Sequence, residues 1–93
     1  MKKEELKATL VDIARSYGEN YNIYDDSIFI SFKNNIELRY IYGKDLIINT
    51  FNDEVTKYLQ SHGFNIKAIE EISVNEYNNL TIKGKNFLSI IAI

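Results

Sequence analysis

The stretch Ser27-Ile28-Phe29-Ile30-Ser31-Phe32-Lys33-Asn34-Asn35-Ile36-Glu37-Leu38-Arg39-Tyr40 decides the fold. Ile28, Ile30 and Phe32 alternate with Ser27, Ser31 and Lys33, and Ile36, Leu38, Tyr40 and Tyr42 alternate with Glu37 and Arg39. A period of two marks strands with one buried face. Parity then selects the turn. A two-residue Asn34-Asn35 loop would set Phe32 opposite Glu37 and Ile30 opposite Arg39. A three-residue loop, Lys33 to Asn35, sets Phe32 opposite Ile36, Ile30 opposite Leu38 and Ile28 opposite Tyr40. Register follows the buried face. The three-residue loop is therefore expected, closed by Asn35 in the left-handed conformation.

Upstream, residues 3–17 carry Leu6, Leu10, Ile13, Ala14 and Tyr17 on one helical stripe, with Glu4 and Glu5 at the start and Arg15 near the end. Gly18 reads as the C′ glycine that stops the helix. Residues 19–26 read as a loop with at most a short strand. Downstream, Gly43-Lys44 turns the chain into a strand over 45–50. A second helix is expected from Asn52, its N-cap, through Asp53-Glu54 to Gly63, burying Val55, Tyr58 and Leu59. Strand signals follow at about 64–74, 79–83 and 86–93, with a turn at Gly84-Lys85. Ile66, Ile69 and Ile72 are spaced by three, and a bulge near Ile69-Glu70 reconciles that spacing with a strand. The closing run Phe87–Ile93 is apolar on both faces and reads as a strand covered on both sides.

The two halves resemble each other. Ser16-Tyr17-Gly18 parallels Ser61-His62-Gly63, Ile30-Ser31-Phe32 parallels Ile72-Ser73-Val74, and Gly43-Lys44 parallels Gly84-Lys85. Residues 1–50 and 51–93 are thus candidate half-repeats of an internal duplication. The expected fold is α+β: a single domain over 1–93, order α-β-β-β-α-β-β-β, with two helices packed on an antiparallel β-sheet.

Composition narrows the function. The chain has 93 residues, 45% hydrophobic and 26% charged, which is ordinary for a globular domain and unlike a disordered one. Ile, Asn, Lys, Tyr and Phe supply 47 residues, against four Ala, four Gly, two Arg and no Pro. That bias fits AT-rich coding. No apolar stretch approaches the ~18 residues of a membrane span, and Met1-Lys2-Lys3-Glu4-Glu5 leads into no signal-peptide core. These features predict a cytoplasmic protein without membrane contact. Cysteine is absent, which removes disulfides and thiolate chemistry. The net charge of −2 makes nucleic acid an unfavoured ligand.

Candidate sites are few. His62 is the single histidine and reads as a surface residue at a helix end. The Gly-Lys pairs lack the second glycine and following Ser/Thr of a phosphate loop, so they read as hairpin turns. Asn79-Leu80-Thr81 is a chance sequon. Asp25-Asp26, Asp53-Glu54 and Glu70-Glu71 read as solvated, and the last pair converges only if a bulge intervenes. No catalytic set, metal cluster or cofactor loop is evident, so neither an enzyme nor a cofactor is expected.

Tyr17, Tyr21, Tyr24, Tyr40 and Tyr42 are a different matter, because tyrosine favours interfaces and acids lie among these. Residues 19–30 and 53–76 each carry a net −3. The expected partner surface is Tyr21, Tyr24, Asp25, Asp26, Glu70, Glu71 and Glu76. It suits a protein partner, in particular a basic nucleic-acid-binding protein. The expected function is a small non-enzymatic binding protein. Its most concrete form is a phage or mobile-element inhibitor of a host defence nuclease, anti-CRISPR-like in kind. Two alternatives stand beside it. One is a nucleic-acid-binding accessory or regulator using Lys33, Arg39, Lys44, Lys83 and Lys85 with Tyr40 and Tyr42. The other is a homodimer or larger assembly paired through sheet edges.

Overall fold

The computed structural model describes residues 1–51 and 59–93. Among these the chain runs α1 (Lys3–Tyr17), β1 (Asn20–Ile23), β2 (Ser27–Ser31), β3 (Ile36–Ile41), β4 (Leu46–Phe51), β5 (Leu59–Phe64), a 3-10 turn (Ile66–Ala68), β6 (Ile69–Val74), β7 (Asn79–Gly84) and β8 (Leu88–Ala92). Two antiparallel meanders result, β1-β2-β3-β4-β5 and β6-β7-β8. The class is α+β, with one helix against two sheets.

The β2–β3 hairpin has the register that parity requires. Ile28 faces Tyr40 and Ile30 faces Leu38. The Phe32 amide donates to the Ile36 carbonyl at 2.8 Å, and Asn35 sits at φ 57°. The β6–β7 turn repeats this device, with Asn75 N–H on Asn79 O at 3.0 Å and Asn78 at φ 56°. The β3–β4 turn needs its glycine, because Gly43 is at φ 81°. Its amide donates to the Tyr40 hydroxyl at 3.1 Å, so this buried tyrosine has a partner for its polar end.

The core lies where three elements meet. Leu6, Leu10, Ile13 and Ala14 of α1 pack with the inward residues of β2, β3 and β4 and with Ile69, Ile72, Leu80 and Ile82 of the smaller sheet. Each fully buried Ile or Leu contributes about 1.5–3 kcal/mol relative to exposure. Tyr17, expected on the buried stripe, is exposed instead. Gly18 ends the helix in an extended conformation (φ −71°, ψ 132°), not the left-handed one. A Cβ there would lie 2.6 Å from Ala14 O and 3.1 Å from Ile30 Cγ2, so this glycine is required by close approach.

The second helix is the main correction. Its described part, residues 59–63, belongs to the strand Leu59–Phe64, with Ile48 opposite His62 and Ile47 opposite Gly63. Asn52, Asp53, Glu54, Val55 and Tyr58 lie outside the described residues. Pairing along the whole length of β4 overrides the helical spacing, as tertiary context does to local propensity. His62 is thus an exposed strand residue and not a helix end.

The halves also differ. Gly43 occupies a turn, whereas Gly84 is a buried strand residue whose Cβ would fall 2.6 Å from Ala68 O. The larger sheet also continues past residue 50 into β5.

In the smaller sheet the expected bulge is present, between Ile69 and Glu71. The final strand differs from expectation. β8 pairs with β7 alone and forms the sheet edge, leaving Leu88 (61%) and Ile90 (58%) exposed. A run with apolar residues on both faces, broken only by Ser89, carries little parity, so it does not say which face is covered.

Candidate functional site

Apart from Tyr21, the sequence-expected residues fall into three places. Tyr24, Asp25 and Asp26 share the β1–β2 turn. Main-chain contacts anchor this turn: Tyr24 N–H donates to Ser27 O, and Tyr42 N–H donates to Asp26 O, both at 2.8 Å. Lys7 Nζ donates to the Asp25 carbonyl at 2.7 Å, and Ser27 Oγ donates to Asp26 Oδ1 at 3.2 Å. The turn is held by its backbone while both aspartates stay exposed. Glu70 and Glu71 form a second site on β6, in the other sheet. The bulge turns both outward, and Glu71 lies opposite Lys83. Glu76 is at the far end of β6, in the β6–β7 turn beside the exposed Tyr77.

Strand parity separates the two tyrosines. Tyr21 lies opposite the buried Ile30, on the core side of the edge strand β1. Tyr24 lies on the outer side, where its ring meets Phe29 edge-on at 6.3 Å and 81°.

Following Tyr24 across that outer face reveals a patch the acid-and-tyrosine reading missed. Asn22, Phe29, Arg39 and Ile47 form one cross-strand row, and Ile41 lies opposite Ser27 in the next. Tyr24 (53%), Phe29 (39%) and Ile41 (39%) are exposed, with Arg39 exposed between Phe29 and Ile47. Two depressions of about 220 and 460 Å³ share Arg39 as a wall. The signal was in the alternation: once Ile28 and Ile30 point inward, Phe29 must point outward.

A second groove, about 620 Å³, runs between α1 and the β1–β2 turn, lined by Glu4, Lys7, Val11, Asp12, Asp25 and Tyr42. Lys3 and Lys7 ammonium groups lie 4.9 and 5.6 Å from the Tyr42 ring centre. Glu4 has its pKa lowered, first by its own backbone amide and then by the Tyr42 hydroxyl. Tyr42 has its pKa raised, first by that same bond to Glu4. This cluster fastens the helix start to the end of β3.

The nucleic-acid alternative loses a stacking platform here, because Tyr40 is 1% exposed. Tyr42 is half-buried and held by Glu4. Arg39 and Lys83 are on different sheets. Among the described residues no group of three or more His, Asp or Glu gathers as metal ligands. Among them, too, no helix is long and apolar enough to cross a membrane. No family model, curated protein or solved structure matches the chain.

Proposed function

We propose that this chain is a small non-enzymatic protein-binding domain that engages its partner with the outer face of the larger sheet. The observation that carries this is the contiguity of Tyr24, Phe29 and Ile41 around Arg39, with Asp25 and Asp26 following Tyr24 in the β1–β2 turn. Exposed apolar side chains grouped on a rigid sheet mark interaction sites. Aromatic residues and arginine supply most of the energy in such contacts, and rim charges steer the encounter. In its most concrete form the partner is a basic nucleic-acid-handling enzyme. The two aspartates then meet cationic side chains that otherwise bind phosphates, and the chain acts as an inhibitor carried by a phage or mobile element.

The test is affinity capture from a host lysate with the unaltered chain and a Tyr24→Ala/Phe29→Ala variant. One stoichiometric partner, lost with the variant, is the expected result. Purified partner then gives the sharper readout, since its nuclease activity should fall to zero at one equivalent of the chain. A partner retained by the variant would overturn the assignment of this face.

A further inference from the structure

The molecule has four sheet edges among its described residues: β1, β5, β6 and β8. An open edge offers its backbone groups to any other strand, and natural proteins protect it with short strands, charges, proline or bulges. β6 is blocked by charge and a bulge, β1 is only four residues long, and β5 is polar at its centre, whereas the outward residues of β8 are all apolar. β1 carries Asn20 and Asn22 and runs into Asp25-Asp26, β5 carries Gln60, Ser61 and His62, and β6 carries a bulge with Glu70 and Glu71. β8, Leu88-Ser89-Ile90-Ile91-Ala92, has no charge, no proline and no register shift against β7.

Hydrogen bonding shows which β8 residues face outward. Gly84 N–H donates to Phe87 O at 2.9 Å and Ile93 N–H donates to Asn78 O at 3.1 Å. Residues 87, 89, 91 and 93 therefore turn their backbone groups to β7, and Leu88, Ile90 and Ala92 turn theirs to the open edge. These same three are exposed.

We propose that a second copy of this chain covers that edge, with β8 pairing antiparallel to β8 about a two-fold axis at Ile90. The geometry suits a copy in particular. Three outward residues pair symmetrically, Ile90 with Ile90 and Leu88 with Ala92, each pair exchanging N–H···O bonds in both directions. A β-branched pair sits at the centre and a large residue meets a small one on either side, a favourable set of cross-strand neighbours. No charge opposes its own image, since Lys83 stands beside Leu88 on β7 and not on β8. The two three-stranded sheets become one of six strands, and the exposed Leu88 and Ile90 gain apolar neighbours. This pairing uses the smaller sheet and does not depend on the outer face of the larger one.

Sedimentation velocity over a wide concentration series tests it, together with amide hydrogen exchange by NMR. The expected result is a species of twice the chain mass at high concentration. The amides of Leu88, Ile90 and Ala92 should become protected as it forms. Ile90→Lys places two like charges at the axis and should leave only the single-chain mass, while His62→Lys on the β5 edge leaves the dimer intact. A chain that stays at its single mass throughout overturns the proposal, including the case in which a foreign strand covers β8. So does a dimer in which those three amides exchange freely, a readout that needs no variant to fold. A folded Ile90→Lys that still dimerises overturns it as well.

Discussion

Gly84 shows how much one missing methyl group decides. A Cβ there would lie 2.1 Å from Phe87 Cε1 and 2.6 Å from Ala68 O. The ring could swing, but the carbonyl belongs to the 3-10 turn and is fixed. Gly84→Ala should therefore cost about 1–3 kcal/mol through overpacking, read as a lower urea midpoint. Gly63→Ala is the control, because its Cβ would meet Ile47 Cδ1 at an ordinary 3.4 Å and alanine is the better strand residue by roughly 0.5–1 kcal/mol. The Glu4–Tyr42 contact makes a pH prediction at the same scale. Glu4 is held below its ordinary 4.5, first by its backbone amide and then by Tyr42. Its stabilising effect is thus present above that value and lost as pH falls through the lowered one. Tyr42 is raised above 10.0 by its bond to Glu4, so its effect holds below that pH and disappears as pH rises through the raised value. In Tyr42→Phe the Glu4 titration, followed by carboxyl NMR, should move back toward 4.5 without reaching it, because the backbone contribution persists.

Helix α1 is the element on which both sheets depend, since it touches β1 and β2 on one side and β6 on the other. Leu10, fully buried in its middle, is the sensitive point. Leu10→Ala should cost about 2–5 kcal/mol, a large part of the ~5–15 kcal/mol that holds a domain of this size. Val11→Ala, half-buried on the groove side, should cost less, and urea titration of the two variants ranks them. This helix and the β2–β3 hairpin were legible in the sequence because each has an apolar period that admits one buried face. The bulge at Glu70 was legible for a related reason, since strand parity fails there without it. The β5 segment was misread because His62-Gly63 looks like a helix end, while its partner, β4, is an interaction that no local window contains. The candidate site divided along the same line. Asp25-Asp26 stood out by composition. Phe29 and Ile41 carry no signal of their own: they follow only from the parity of strands whose inward residues are Ile28, Ile30, Leu38 and Tyr40.

At the scale of the whole molecule, the patch around Arg39 and the β8 edge lie on different sheets, and that separation makes their roles distinguishable. Changes at well-separated sites act independently. Tyr24→Ala/Phe29→Ala should weaken partner capture and leave the sedimentation behaviour unchanged, and Ile90→Lys should do the reverse. Within the patch, the two chemistries should divide between the rates. Asp25 and Asp26 are exposed in the β1–β2 turn next to Tyr24, where a charge acts over distance before contact. Phe29 lies within the patch, next to Tyr24 and Arg39, where removal of a side chain loosens the formed complex. Surface plasmon resonance on the captured partner should therefore show Asp25→Asn/Asp26→Asn slowing association and flattening its dependence on salt, with dissociation nearly unchanged. Phe29→Ala should speed dissociation and leave association close to that of the unaltered chain. If both variants changed the same rate constant, the division into an apolar centre and a steering turn would be wrong, and the two aspartates would belong inside the contact.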